Sequence, residues 1–263
     1  MAVVGHVEWV DFVAVTRYPP RGQVEHARRV FTRAGGGAVV AADVLAGLGA
    51  EVEFFCALGR DGNGEAAAAQ LRERGFELHV AWREQPTRRV ITFLEYDGER
   101  TIVTIGDRLQ PAGDDDLDWA RLADIDGAYL TAGDVGAAWH ARRAPVLTAS
   151  PRVREGLVAD GLALDALIYS ASDEDERDWA RQVEKQTRLM VATEGARGGR
   201  WWGQSEGTWP TVEPPGEIRD DYGAGDAFAA GFTFGLAQRL PVARAAAIGA
   251  ECGARALTVP GAP

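Results

Sequence analysis

Short, predominantly apolar runs that alternate with stretches of helical length are the feature that most constrains the fold of this chain. Residues 52–58, 166–169 and 189–193 are such runs, and a polar or glycine turn follows each of them. A strand that helices cover on both faces is apolar along most of its length. The alternation therefore predicts an α/β fold in which a mostly parallel sheet lies between two layers of helices.

Two strands without a helix between them interrupt this alternation. Residues 89–96 and 100–105 alternate between apolar and polar side chains, and Asp97-Gly98 between them is a hairpin signal. Residues 7–15 alternate in the same way, although less regularly. We therefore expect a single domain, 1–263, with a small sheet whose strands are drawn from about 7–20 and 88–105.

The charge and cysteine content exclude several classes of partner. The chain has 263 residues and a formal net charge of −11, and an acidic surface repels nucleic acid and anionic lipid. An anionic small substrate stays compatible, because a local basic pocket overrides the global field. Two cysteines are too few for a disulfide framework and predict a reducing, cytoplasmic location. Because no apolar run approaches the roughly 18 residues of a membrane span, we expect no membrane partner.

The run Gly-Ala-Gly-Asp at 223–226, directly before an Ala-rich helical stretch, carries the clearest chemical signal. Glycines at a helix N-terminus leave the backbone N–H groups uncrowded, and the helix dipole adds partial positive charge. The amides of Gly223, Ala224 and Gly225 are therefore a candidate anion site. Asp226 beside them is a candidate general base, and phosphoryl transfer to a hydroxyl needs both functions. A tight turn with Asp226 as its N-cap is the structural alternative.

The same residues, preceded by Asp220, closely resemble the C-terminal signature of the ribokinase-like (PfkB-type) carbohydrate kinases. Other segments resemble further motifs in the family's order, so the likeness covers essentially the whole chain. They are the pair Gly35-Gly36, the G-x-D-x-x-G segment 59–64, the lid-hairpin residues 87–89 and 97–101, the T-x-G-x-x-G loop 193–198 and the C-terminal Pro260-Gly261-Ala262.

The resemblance implies a ribokinase-like three-layer α/β/α sandwich with a mostly parallel central sheet and a small β-sheet lid over a sugar. It implies a phosphotransferase that moves the γ-phosphoryl group of ATP to a carbohydrate hydroxyl, with Mg²⁺ and a monovalent cation as candidate cofactors. By the same resemblance, Asp226 is the base and the 223–225 amides form the anion hole. The resemblance also assigns Thr193, Gly195 and Gly198 to a nucleotide loop, and Gly35 and Gly36 to the sugar site.

The sugar site departs from the family pattern at two places. Val40 stands where the family usually has an asparagine, and a valine cannot hydrogen-bond a sugar hydroxyl. Near the N-terminus, Val10 occupies the position of the usual aspartate, five residues after Gly5. Glu8 and Asp11 flank it, and we expect Asp11 rather than Glu8 to hold the sugar hydroxyls.

The metal motif is altered as well. The family's N-x-x-E, associated with Mg²⁺ and phosphate, falls on Ser172 and Asp175. Asp175 offers the carboxylate oxygen that Mg²⁺ prefers, and Asp220 is a further candidate ligand. We therefore expect a Mg²⁺ site with a weakened set of donors.

The remaining candidates are interpreted as structural. Arg108, just after the hairpin, is predicted to be a surface arginine, with binding of a substrate phosphate or carboxylate as the alternative. The four histidines show no metal-ligand spacing and are predicted to be ordinary core or surface residues: His6, His26, His79 and His140.

Two other functions stay open at this point. Val40 favours a nucleoside or phosphosugar kinase of the same fold, provided that an apolar base replaces one hydrogen bond to the sugar. A non-catalytic regulator that binds a sugar or a nucleotide is favoured by Val40 and the altered N-x-x-E, and disfavoured by the intact Asp226. Lids of this family sometimes pair between subunits, so a homodimer through the lid is one candidate assembly.

Overall fold

The computed structural model describes residues 1–96, 99–158 and 161–261. The predicted hairpin turn Asp97-Gly98 and the last residue of the predicted C-terminal motif, Ala262, lie outside the described residues. The strands in chain order are β1 (Ala2–Val4), β2 (Glu8–Ala14), β3 (Arg29–Gly35), β4 (Glu53–Gly59), β5 (Glu77–Arg83), β6 (Arg89–Leu94), β7 (Arg100–Ile105), β8 (Gly127–Leu130), β9 (Val146–Ala149), β10 (Ala166–Ser170), β11 (Leu189–Thr193), β12 (Gly199–Gly203) and β13 (Gly207–Trp209). The helices are α1 (Gly37–Gly47), α2 (Gly62–Glu73), α3 (Val135–Ala141), α4 (Glu174–Val183), α5 (Ala224–Ala237) and α6 (Val242–Ala256).

The main sheet has nine strands in the order β13-β12-β11-β10-β9-β8-β1-β4-β5. Every pair from β11 to β5 is parallel, whereas β12 and β13 add an antiparallel edge. The prediction of a mostly parallel central sheet is therefore confirmed. In such a sheet the carboxyl ends of the strands meet at one edge, where ligands bind in open α/β folds.

Helices cover both faces of this sheet, as the apolar strands predict. Along β4, Phe54 and Cys56 pack into a core shared with α1, α2, α5 and α6, while Phe55 between them packs into a core shared with α3 and α4. Successive residues of a strand point to opposite faces, so a strand apolar at every position needs a layer on each side. None of the described helices combines the length and the apolar character needed to cross a membrane.

A second sheet of four strands, in the order β3-β2-β6-β7, stands apart from the main one. Val10 and Phe12 of β2 pack with Val40 of α1 and with Tyr222, which anchors one face of the small sheet on the domain. The sequence expectation for this sheet was incomplete, because the fourth strand is β3 at Arg29–Gly35 and residues 15–20 form no strand. Two consecutive prolines, Pro19 and Pro20, remove ladder donors from that segment.

Candidate active site

A cleft of about 450 Å³ lies between the two sheets. One wall consists of the carboxyl ends of β8, β10 and β11, the segments that follow β1 and β9, and the first turns of α1, α4 and α5. The other wall consists of β7, the residue that precedes β6, and the first residue of β2. The cleft therefore occupies the edge of the sheet where an α/β fold binds its ligands.

Asp226 lies in the first turn of α5 and only 8% of its surface is exposed. Its carboxylate accepts a hydrogen bond from the Tyr129 hydroxyl at 3.2 Å. It also lies directly against Gly37, because a Cβ atom on Gly37 would stand 2.5 Å from Oδ1. The glycine at the start of α1 thus makes room for the carboxylate at the start of α5.

The N-terminus of α5 is open toward the cleft. Gly223 caps the helix with a left-handed φ of 72°, a conformation that glycine adopts without strain. Ala227 donates to the Gly223 carbonyl at 2.8 Å, and Ala224 donates to the Asp221 carbonyl at 3.3 Å. In the part of the chain that the structure describes, the amides of Gly225 and Asp226 have no acceptor. Unpaired amides at the positive end of a helix dipole attract an anion.

Arg152 lies in the turn that follows β9 and connects two helix starts. Its Nε donates to Glu176 Oε1 at 2.8 Å, and its Nη1 lies 3.9 Å from Asp226 Oδ2. Glu176 is itself held by the backbone N–H of Ser170 at 2.8 Å. The carboxylate of Asp226 is the largest of the influences that raise the pKa of the Arg152 guanidinium, so this side chain stays positively charged.

The start of α4 holds the residues of the altered metal motif. Asp173 caps the helix by accepting from the Glu176 N–H at 3.0 Å. Asp175 lines the cleft and makes no hydrogen bond or ion pair within the described residues. Ser172 is hydrogen-bonded to Ser170 at 2.8 Å and is not part of the cleft lining.

The residues present fit a magnesium ion that is held chiefly by substrate. Among the described residues, no three His, Cys, Asp or Glu side chains are grouped as a metal site. Asp175 supplies one free carboxylate at the cleft, and Mg²⁺ commonly takes one or two carboxylates together with phosphate oxygens and water. Asp220 is otherwise engaged, since its carboxylate accepts from the amides of Tyr222 at 2.9 Å and Gly261 at 2.8 Å.

A network of buried and half-buried polar side chains lines the end of the cleft that contains His6 and Glu8. Arg108 donates to His6 Nδ1 and to the Thr131 carbonyl, each at 2.9 Å, and Arg88 donates to Glu8 at 3.2 Å. Burial, followed by the nearby arginines, lowers the pKa of His6 well below its usual value, so the ring is neutral near pH 7. Burial also raises the pKa of Glu8 and lowers that of Arg108 to about 10. Arg108 is half-buried and lines the cleft, so it is not the exposed surface arginine that the sequence predicts.

The predicted sugar-contacting residues divide between the cleft and the surrounding core. Gly36 lines the cleft, whereas Gly35 packs against Val10, where a Cβ atom would meet a methyl group at 2.7 Å. On β2, Glu8 faces the cleft. Asp11 is bound to Thr32 at 2.6 Å and to Arg89 at 3.0 Å, outside the cleft lining.

The predicted nucleotide loop follows β11. Thr193 lines the cleft, while Gly195 and Gly198 shape the turn with positive φ angles of 58° and 84°. A side chain on Gly198 would collide with the Trp209 carbonyl, because its Cβ atom would stand 2.1 Å from that oxygen.

The sequence analysis does not predict several residues of the cleft as functional. Most of them could have been found from their position directly after a parallel strand. The positions after parallel strands share one edge of the sheet, which places His6, after β1, beside Ser150 and Arg152, after β9. Glu176 and Tyr129 had no such signal, because only the folded chain brings them to Arg152 and Asp226.

The order of the strands, with a small sheet over a cleft at the carboxyl edge, is the ribokinase-like fold. The model of the pfkB family of carbohydrate kinases matches residues 1–137 and 164–263. The chain belongs to this family, and it is a phosphotransferase with an alcohol group as acceptor.

Individual relatives agree with this assignment. An ATP-dependent ribose-1-phosphate kinase from Halopiger xanaduensis is 29% identical over 270 residues, which cover 95% of this chain and 89% of that protein. The structure of Arabidopsis thaliana ribokinase complexed with ribose and ATP matches with a TM-score of 0.76 at 20% identity, over 100% of this chain and 95% of that one. A nucleoside kinase from Methanocaldococcus jannaschii matches with a TM-score of 0.74 at 15% identity, over 99% and 92%. These structural matches show the shared fold.

Proposed function

We propose that this protein is an ATP-dependent kinase that phosphorylates a hydroxyl group of a sugar or sugar derivative, with Asp226 as the general base. The hydroxyl oxygen attacks the γ-phosphorus of ATP, its proton passes to Asp226, and the bond to the bridging oxygen breaks with its electron pair on ADP. The observation that carries the proposal is the carboxylate of Asp226 in the cleft beside the amides of Gly225 and Asp226, which have no acceptor among the described residues. These donors stabilise the charge on the transferring group.

The nucleotide is expected along β11 and α5. Thr193 faces the cleft from the end of β11, and Gly195 and Gly198 keep the following turn tight. Asp175, which lines the same cleft, would hold Mg²⁺, and Mg²⁺ when bound would neutralise phosphate charge. We do not propose Ser172 or Asp220 as a Mg²⁺ ligand, because both side chains are hydrogen-bonded to other groups of the protein.

The acceptor is expected at the other end of the cleft, near His6, Glu8 and Gly36. Glu8 is the carboxylate there, so we propose it rather than Asp11 as a ligand of the acceptor hydroxyls. Gly36 has a positive φ of 99°, a conformation that glycine adopts without strain. Because glycine has no side chain, its backbone can come close to the substrate.

A phosphorylated sugar is the second candidate acceptor. Arg88 and Arg108 line the cleft beside Glu8 and His6, and Arg100 lines it beside Asp221, in a chain whose overall charge is −11. Arginine binds phosphate and carboxylate groups through paired N–H donors. The relative from Halopiger xanaduensis, named as a ribose-1-phosphate kinase, acts on such a substrate. The nucleoside alternative has less support, because Val40 packs into the core instead of facing the cleft.

A screen for ADP release tests the proposal. Free sugars, sugar phosphates and nucleosides are offered with ATP and Mg²⁺, and the phosphorylated product is identified by mass. We expect turnover with a sugar or a sugar phosphate. Binding of an acceptor without turnover at any Mg²⁺ concentration would favour the non-catalytic regulator instead.

A further inference from the structure

Arg152 lies between the carboxylates of Glu176 and Asp226, at the end of the cleft where phosphoryl transfer is proposed. It bonds Glu176 through Nε at 2.8 Å and approaches Asp226 through Nη1 at 3.9 Å. About half of its side chain, 54%, is exposed to the cleft and the solvent. The guanidinium is therefore both fixed and accessible.

The contacts of Arg152 fix its position and leave its far nitrogens unused. Its backbone carbonyl accepts from Arg108 at 2.9 Å, and Glu176 is itself anchored to the backbone of Ser170. The 3.9 Å separation from Asp226 exceeds the length of a hydrogen bond. Within the described residues, Nη1 and Nη2 thus retain their hydrogens for another acceptor.

Ser150 gives a second, independent indication of a ligand at the same place. Its surface is only 5% exposed, it lines the cleft, and its Oγ makes no hydrogen bond of normal geometry within the described residues, since the nearby Tyr129 hydroxyl donates to Asp226 instead. Buried polar atoms in native proteins are nearly always paired. A hydroxyl left unpaired two residues before Arg152 indicates that a bound polar group completes the site.

We propose that Arg152, together with the Ser150 hydroxyl, binds the phosphoryl group while it is transferred. The inference rests on the proposed function, which places the acceptor hydroxyl on Asp226. A phosphorus about 3–3.5 Å from that oxygen lies within reach of Nη1 and Nη2. The guanidinium then donates to the non-bridging oxygens while the oxygen–phosphorus bond to the acceptor forms and the bond to ADP breaks.

The predicted signature is a preference for ATP over ADP that depends on Arg152. Trp179 lines the cleft, so tryptophan fluorescence reports nucleotide binding in the absence of acceptor. In Arg152→Gln we expect ADP affinity to stay unchanged and the ratio of ADP to ATP dissociation constants to fall about tenfold or more, since a charge-assisted hydrogen bond is removed. We expect kcat to fall about 10²–10³-fold, as when one donor to developing charge is removed.

Arg181→Gln is the matched control, because Arg181 pairs with Asp178 on the exposed face of α4 and should leave both measurements unchanged. Arg152→Lys keeps the positive charge but removes the paired N–H donors of the guanidinium. Its kcat and its ratio of ADP to ATP dissociation constants should therefore lie between those of wild type and Arg152→Gln. If thermal melting shows that Arg152→Gln is unfolded, the same measurements are made on Arg152→Lys. Guanidinium ion added to Arg152→Ala should restore part of the turnover.

The outcomes separate this inference from the proposed function. A wild-type ratio of ADP to ATP affinity together with wild-type kcat in Arg152→Gln and Arg152→Lys would overturn the inference and leave the kinase assignment intact. A chain that turns over no acceptor, yet loses its ATP preference in Arg152→Gln, would overturn the proposed function and support Arg152 as a ligand of the γ-phosphoryl group.

Discussion

The hydroxyl of Tyr222 accepts a hydrogen bond from the backbone N–H of Gly36 at 2.9 Å. This bond joins the glycine turn before α1 to the glycine turn before α5, two motifs that lie 186 residues apart in the sequence. Tyr222 also contacts the small sheet, because the Arg100 guanidinium lies over its ring and pairs with the neighbouring Asp221. Tyr222 therefore connects the proposed acceptor site, the proposed anion site and the small sheet.

Tyr222→Phe should destabilise the protein and weaken acceptor binding. The substitution leaves the buried Gly36 N–H without its partner, which costs about 1–3 kcal/mol of the free energy of unfolding. Urea denaturation and the KM for the acceptor measure the two effects. Tyr96→Phe, at a tyrosine that is 81% exposed, is the control and should change neither. Equal unfolding midpoints for Tyr222→Phe and wild type would contradict the expected role of this bond.

Gly37→Ala should lower turnover by displacing Asp226. The added Cβ atom would stand 2.5 Å from the Asp226 carboxylate, so that side chain has to shift, and a displacement of about 1 Å can cost about 10²-fold in rate. Gly47→Ala in the same helix is the control, since its Cβ atom would meet no atom within 4 Å. Steady-state kinetics on both variants measure the difference. Unchanged kcat in Gly37→Ala would show that the Asp226 position is not critical.

Much of this architecture follows from local sequence, while the parts that depend on tertiary contacts do not. The strand at 52–58 is predictable because apolar residues occupy both of its faces. On β2 both faces carry apolar residues, Val10 and Phe12 on one and Trp9 and Val13 on the other. Which of Glu8 and Asp11 faces the cleft is therefore decided only when Val10 packs on Val40.

The glycine motifs show the same division. The sequence predicts the helix start at 223–226 from residue type alone, because only the local backbone is involved. Arg152, which lies near Asp226 in this helix start, and Glu176, which binds Arg152, come from two other segments. The parallel order of β9, β10 and β11 brings these segments together. No short pattern in the sequence encodes a distance between separate strands.

Asp226→Asn should lower kcat by about 10²–10⁴-fold, the usual contribution of a general base. The amide keeps the shape of the side chain and the contact with Tyr129, so the fold and ATP affinity should be preserved. Single-turnover kinetics and nucleotide titration measure the two quantities separately. Wild-type turnover by this variant would assign the proton to another acceptor.

Binding of the acceptor should protect the small sheet from hydrogen exchange. Closure of a lid excludes water from the transferring phosphoryl group, and the ion pair of Arg100 with Asp221 already links β7 to the anion site. We expect slower exchange of amides in 89–94 and 100–105 when acceptor saturates the protein. In Arg100→Ala this protection should decrease, while the exchange of α6 should stay as in wild type. Unchanged exchange in β6 and β7 would remove lid closure from the mechanism.

Asp175→Ala should raise the Mg²⁺ concentration needed for half-maximal turnover and leave acceptor affinity nearly unchanged. Asp175 is the free carboxylate at the start of α4 that faces the cleft, and Mg²⁺ bound mainly through phosphates still gains from one protein oxygen. The proposed acceptor site lies near Glu8 and Gly36, so the KM of the acceptor should not follow the metal requirement. Asp178→Ala, which removes an exposed carboxylate paired with Arg181 on the same helix, is the control for a general loss of negative charge. Titration of Mg²⁺ at fixed ATP shows whether Asp175 is a metal ligand or only a surface charge. Identical curves for wild type and Asp175→Ala would make it a surface charge and leave phosphates and water as the ligands of the metal.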